Sequence, residues 1–195
     1  MQTKLIIIRH GITDWSLAKK YCGHTDMELN DIGRRQAAEL CEALKNEKIN
    51  AVYSSGAKRA LQFARIAFGE FPVTVMTGLN EMDFGVFEGL TYEEIMREYP
   101  EIYSKWIDNP HNVNIPEGEN MKDFIKRIET PLNEIIRQNA NKTIALITHA
   151  GTIKAIISDI LEIEDMWKTR LEWGSVCAVV SNEEKGNRWV RLPLF

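Results

Sequence analysis

An α/β fold, a three-layer α/β/α sandwich with helices on both faces of a mostly parallel central sheet, is what three features of this sequence predict. Two runs of branched apolar residues, "LIIIRHGIT" at 5–13 and "IALITHAGT" at 144–152, are continuous rather than alternating, as in strands covered on both faces. Helical patterns separate such runs along the chain, which is the order of a parallel sheet. The two runs also echo each other, each ending in a histidine with a small residue after it and a threonine further on.

The elements follow in order. After the first strand, "RRQAAELCEAL" puts Ala37, Leu40, Cys41 and Leu44 on one helical face, and "AKRALQFARIAF" follows the short apolar run "AVYSS". Residues 77–118 read as a loop and helix insertion over the sheet and the active site, marked by Gly78, Gly85, Gly89 and "DNPHNVNIPEGEN". Within it, Thr91 and Glu94 form a capping-box start for one helix and Pro100 opens the next, which carries Trp106. A long helix begins near Asn120 and should kink at Pro131. "GTIKAIISDIL" is an amphipathic helix, and "SVCAVVSNEEKGNRWVRLPLF" reads as a hairpin extending the sheet edge. The whole of 1–195 is expected to form a single domain.

Composition narrows the function. At 195 residues the chain is long enough for one buried core, and 44% apolar with 27% charged residues is ordinary for a globular protein. The formal charge of −4 argues against a nucleic-acid partner. No run approaches the roughly 20 apolar residues that span a bilayer, and the first strand lacks a signal-peptide cleavage site, so no membrane partner and a cytoplasmic location are expected. Cys22, Cys41 and Cys177 have no metal or disulfide spacing and read as reduced thiols. A homodimer is entertained.

Polar residues at the ends of central parallel strands face the crevice in which such sheets bind ligands. Arg9 and His10 stand at one strand end, His149 at another, and Arg59 on the helix after "AVYSS". If those strands are neighbours, two guanidiniums and two imidazoles converge, and arginine's planar fork suits a phosphoryl group. Gly11, Thr13, Ser54, Ser55 and Gly151 add donors or close backbone approach. Phosphate monoesters require rate enhancements of up to about 10²¹-fold, so the pocket also needs a nucleophile and an acid. Neither serine nor cysteine lies in an activating motif. A neutral imidazole attacks phosphorus if a carbonyl holds its other proton, and His10, between Arg9 and Gly11, is the better candidate, with His149 donating to the phosphoryl oxygens. For the proton to the leaving alkoxide, Glu81, Asp83 and Glu88 compete, and residue chemistry alone does not choose.

"RHG" after the first strand, "GHTDMELNDIGRRQA", an Arg-Ala pair on the next helix, "LNEMDFGVFEG" and a late "THAG" together resemble the histidine phosphatase superfamily, also called phosphoglycerate mutase-like, over essentially the whole chain. The resemblance implies a cofactor-independent, metal-free phosphatase acting on a small-molecule phosphate monoester. His10 is then phosphorylated and released by water, Arg9, Arg59 and His149 complete the phosphate pocket, and Glu81 donates the proton. Thr13, Ser16, Cys22, Gly23 and Ala150 fall where secondary phosphate or substrate contacts are expected. The insertion is most similar to that of α-ribazole phosphatases, which dephosphorylate a nucleotide precursor of the cobalamin lower ligand.

Several positions depart from the commoner family pattern: Ile12 in place of Glu or Gln, Ser16 of Asn, Gly56 of Asp, Asn80 of Arg and Ala150 of Gly. Two other functions compete. A phosphoglycerate mutase needs a second cationic site, and here the insertion offers only Arg97 and scattered lysines. A non-catalytic phosphate-binding module should have lost its nucleophile or arginines, whereas this chain keeps them. Taken singly, His24, His111 and the aromatics Trp15, Tyr21, Phe84, Phe87, Tyr92 and Trp106 read as loop or packing residues, with His24 at the rim and some aromatics facing a flat substrate as the functional alternative.

Overall fold

The computed structural model describes residues 2–182 and 188–192. Six strands form one sheet: β1 (Lys4–Arg9), β2 (Ala51–Ser54), β3 (Val73–Val75), β4 (Thr143–Thr148), β5 (Val176–Asn182) and β6 (Arg188–Leu192). Their spatial order is β3-β2-β4-β1-β5-β6. The pairs β2/β3, β2/β4 and β1/β4 are parallel, while β5 runs antiparallel to β1 and to β6. The C-terminal pair therefore does extend the sheet, and the turn anticipated between its strands lies outside the described residues.

The described residues include seven α-helices: α1 (Asp14–Leu17), α2 (Asp31–Ala43), α3 (Lys58–Phe68), α4 (Tyr92–Glu98), α5 (Pro100–Asp108), α6 (Met121–Gln138) and α7 (Ala150–Ala155). Every residue from Leu5 to Ile8 is buried because both faces of β1 are covered. Leu5 and Ile7 join a core with Phe124, Ile128 and Leu132 of α6 and Ile153 of α7. Ile6 and Ile8 face the other way, into Ala37 and Leu40 of α2 and Ala60, Phe63 and Ala64 of α3. An unbroken apolar run and a three-layer sandwich are thus the same fact seen in sequence and in space.

The helix ends follow their local chemistry. Thr91 and Glu94 close a capping box on α4, Pro100 stands in the first turn of α5, and the Asn120 side chain accepts from the Asp123 amide to start α6. Two expectations need correction. Cys41 is exposed, so the buried face of α2 comprises Gly33, Ala37 and Leu40, with Leu44 just beyond the helix. Helix α6 carries Pro131 inside its span, and the proline ring sits over Gly78, where a Cβ would come within 2.9 Å of it. The helix after His149 keeps α geometry only to Ala155 and then widens into a π turn, Ile156–Ile160.

The insertion packs its aromatic residues together. Phe84, Phe87, Tyr99, Tyr103 and Trp106 meet edge-on or tilted, with ring centroids 5.8–6.3 Å apart. Tyr21 joins from the segment after α1, 5.2 Å from Phe84 and with its hydroxyl 3.0 Å from that of Tyr103. This cluster fixes residues 77–118 against the loop that follows β1.

That loop is also clamped from the other side, where Gly11 and Gly33 touch backbone to backbone: a Cβ on Gly11 would lie 2.6 Å from the Gly33 carbonyl oxygen. A Cβ on Gly33 would lie 2.9 Å from the Ile12 amide nitrogen and closer still to its carbonyl oxygen. In an isolated helix Gly33→Ala would stabilise by about 1 kcal/mol. Here the overpacking dominates, so Gly33→Ala should destabilise by about 1–3 kcal/mol in urea titrations. A raised midpoint would show that the loop yields freely.

Candidate active site

The site begins with strand register. Arg9 pairs with Thr148 across β1 and β4, and the His10 amide donates to the Thr148 carbonyl at 3.0 Å, so each strand's terminal histidine emerges beside the other. The imidazole centroids are 5.0 Å apart with planes at 65°. Strand β2 borders β4 on its other side and delivers Ser55, whose hydroxyl lies 2.8 Å from His149 Nε2. Both rings are buried, His149 completely.

His10 Nδ1 is 2.7 Å from the Gly11 carbonyl oxygen. A carbonyl only accepts, so Nδ1 carries the proton and Nε2 presents its lone pair. Arg59 Nε donates to that nitrogen across 3.3 Å. Burial first, then the Arg59 and Arg9 charges, hold His10 well below the ordinary imidazole value. Burial likewise depresses His149, reinforced by Arg59 and then His10. Its Nδ1 is buried with no hydrogen-bond partner.

Two guanidiniums flank the imidazoles. Arg59, only 1% exposed, is held by backbone carbonyls: Nη1 donates to Thr25 at 2.9 Å, and Nη2 to Gly23 at 2.7 Å and Cys22 at 3.4 Å. The bracket is itself anchored by Glu88, whose carboxylate accepts from the amides of Gly23, His24 and Thr25 at 2.8–3.1 Å. Arg9 stacks on Trp173 with Cζ 4.4 Å from the ring centroid, donates through Nη1 to the Leu171 carbonyl, and leaves Nε buried and unpaired. Burial brings Arg9 down to about 10 against the opposing pull of Glu81.

Geometry now separates the three carboxylates. Glu88 is committed to backbone amides, and Asp83 caps the Gly85 amide and meets His24 at 3.2 Å. Glu81 lines the cavity, its oxygens accepting from the Met82 and Gly151 amides, each at 3.0 Å. Its loop is pinned at several points: Thr148 Oγ1 donates to the Leu79 carbonyl, Thr152 Oγ1 to that of Asn80, and Arg127 to those of Gly78, Asn80 and Glu81. Asn80 Oδ1 also accepts the Gly56 amide at 2.8 Å, so two of the departures from the family pattern are spatial partners.

The cavity has a volume of about 340 Å³ and is lined by Arg9, His10, Thr13, Ser16, Cys22, Arg59 and Glu81, among others. Thr13 and Ser16 bond each other in the capping box of α1. The Cys22 thiol, pushed up to about 11 by burial, is not a ready thiolate. Gly23 does not line the cavity: its amide serves Glu88 and its carbonyl serves Arg59. Ala150 lines an adjoining cavity instead. His24 stays off the rim, whereas Tyr21 and Phe84 do form part of the wall. Sequence reasoning overlooked Lys19, Lys20 and Trp173, which also line it. The double lysine just before Tyr21 was a readable signal, but Trp173 lies in a stretch with no periodicity.

Among the described residues no group of three or more His, Cys, Asp or Glu side chains is arranged to hold a metal ion, and no helix is long and apolar enough to cross a membrane.

The family model for the histidine phosphatase superfamily, branch 1, matches residues 5–193. Phosphoserine phosphatase 1 of Hydrogenobacter thermophilus is 29% identical over 98% of this chain and 92% of its own length. A putative alpha-ribazole-5'-P phosphatase from Escherichia coli superposes with a TM-score of 0.89 at 26% identity, over 98% of this chain and 95% of that one. Phosphoserine phosphatase from Entamoeba histolytica, solved in complex with 3-phosphoglyceric acid, gives 0.85 at 32% identity over 98% and 95%. Matched across nearly its full length by that model, this chain belongs to the histidine phosphatase superfamily and is a phosphatase of that family.

Proposed function

We propose that the chain hydrolyses small phosphomonoesters through a phosphohistidine at His10. One observation carries this reading: two neutral imidazoles stand edge to face between two guanidiniums, and the nucleophilic nitrogen of His10 is selected by its neighbour's carbonyl. The Nε2 lone pair attacks phosphorus, the P–O ester bond breaks, and the leaving oxygen takes the bonding pair together with a proton from Glu81 in its acid form. Water then attacks the phosphohistidine, giving its proton to the Glu81 carboxylate and releasing inorganic phosphate and neutral His10. Arg59, Arg9 and His149 stabilise the charge on the transferring group, and the unpaired Arg9 Nε and His149 Nδ1 are natural partners for its oxygens.

Two substrate readings follow from the relatives. α-Ribazole 5′-phosphate is supported by the whole-length likeness to the Escherichia coli protein and by Tyr21, Phe84 and Trp173 lining the cavity, where a flat ring would stack. Phosphoserine is supported by the relatives that carry its name. The reservation about a mutase also changes. Arg97 is exposed and paired with Glu98, yet a second group of cations does lie beside the site. The choice between transfer and hydrolysis therefore rests on the lifetime of the phosphoenzyme: a long-lived one that interconverts 3- and 2-phosphoglycerate favours the mutase.

His10→Ala should abolish release of phosphate from p-nitrophenyl phosphate and remove the acid-labile phosphoenzyme trapped on quenching, while chelator leaves the wild type active. Equal turnover in the variant would overturn the assigned nucleophile. Glu81→Gln should lower kcat by about 10²–10⁴ on alkyl phosphates. Its effect should be much smaller on p-nitrophenyl phosphate, whose phenolate departs without a proton, and equal losses on both would assign Glu81 another role.

The depressed imidazoles also set a pH dependence of stability. Unfolded histidines take up protons near pH 6.5, whereas His10 and His149 in the fold do so only at lower pH. The unfolded chain thus binds more protons below about pH 6.5. Urea midpoints should fall as the pH drops from about 7 to about 5, and His149→Asn should flatten that decline. An unchanged slope in the variant would place the proton uptake on other groups.

A further inference from the structure

Beside the catalytic cavity lies a second one of about 420 Å³, and the two share Arg9, Lys19 and Trp173 as walls. The second adds Lys154, from α7, and Arg170, from the segment after the π turn. Four cations therefore face one small volume. The carboxylate nearest Arg170 is Glu172, which meets its Nε at 2.8 Å on an exposed surface where an ion pair is weak. Among the described residues Lys19 and Lys154 form no ion pair. Lys154 donates to the Trp167 carbonyl at 3.1 Å, which occupies one of its three N–H groups.

Two further observations indicate that the arrangement is built. Lys19 has φ = +54°, a left-handed conformation that costs a residue with a Cβ free energy and is found mostly where surrounding structure enforces it. Lys154 is partly buried, on a helix whose N-cap is His149, so its position is fixed relative to the catalytic imidazoles. Partial burial strengthens a cation's attraction for an anion relative to an exposed surface charge.

Resting on the phosphatase reading, the geometry points to a second anion subsite formed by Lys19, Lys154 and Arg170, so that the preferred substrates are phosphomonoesters carrying a further carboxylate or phosphate. With the scissile phosphoryl group between His10 and Arg59, the rest of the substrate runs over Arg9 and Trp173 and places its second anion among the three cations. An ester whose remaining part is uncharged, α-ribazole 5′-phosphate included, leaves them unsatisfied.

The test compares kcat/KM for wild type and for Lys154→Gln/Arg170→Gln on a matched set. 3-Phosphoglycerate and phosphoserine supply a carboxylate, glycerol 1,3-bisphosphate a second phosphate, and glycerol 3-phosphate and α-ribazole 5′-phosphate neither. Turnover of p-nitrophenyl phosphate monitors the fold and the chemistry. Wild type should prefer at least one doubly anionic class over glycerol 3-phosphate, and the class preferred tells carboxylate from phosphate. The double variant should lose about ten- to a hundredfold on that class, with p-nitrophenyl phosphate unchanged and with partial recovery in Lys154→Arg/Arg170→Lys. Equal wild-type rates on charged and uncharged esters, or an equal loss on all substrates in the variant, would overturn the subsite while leaving the phosphatase reading intact. Failure of wild type to hydrolyse any ester would overturn both.

Discussion

The parallel pairing of β1 with β4, in a register that sets Arg9 opposite Thr148, is the constraint on which this molecule's chemistry depends. A slip by one residue would turn each side chain of β1 to the opposite face, exchanging Leu5 and Ile7 with Ile6 and Ile8 and carrying His10 away from His149. The apolar packing of the two layers thus also sets the separation of the imidazoles. Hydrophobic burial cannot itself position a proton, but it fixes the backbone on which the Gly11 carbonyl orients the His10 ring.

Around that pair the fold manages a costly concentration of positive charge. Burying an arginine without partners is prohibitive, and Arg59 meets this demand with carbonyl oxygens rather than carboxylates. Carbonyls stabilise the guanidinium through their dipoles while leaving its full charge uncompensated, as a site for an anion requires. The carboxylate stands one step removed, at Glu88, where it secures the amides of the same segment. Arg9 uses an aromatic face and one carbonyl to the same end. The insertion contributes through Glu81, held by contacts from α6, α7 and β4 as well as by the Met82 amide of its own short loop.

Much of this was legible in the amino-acid order, for definite reasons. A strand buried on both faces has only apolar residues available to it, so the break to Arg9 and His10 could be read directly, and the echo at 144–152 located its neighbour. Capping at Thr91 and Asn120 is local and was readable for the same reason. Other features depend on distant contacts. Cys41 fits the helical period, yet it is exposed. Glu81 and Glu88 are alike as letters, and the fold distinguishes them by engaging Glu88 with the amides of residues 23–25 while Glu81 lines the cavity. Trp173 has no pattern around it, and its part in the site exists only because the chain returns to β1 through the Ser175 carbonyl, which accepts from the Arg9 amide.

The bond between the Gly56 amide and the Asn80 side chain joins the segment after β2 to the one bearing Glu81 without using a formal charge. The seam between the two segments is electroneutral. An acid at position 56 would set a charge beside Asn80 and crowd Thr77, whose methyl already lies 2.9 Å from where a Cβ on Gly56 would stand. The two positions are therefore physically coupled: a charge introduced at one calls for a counter-charge at the other.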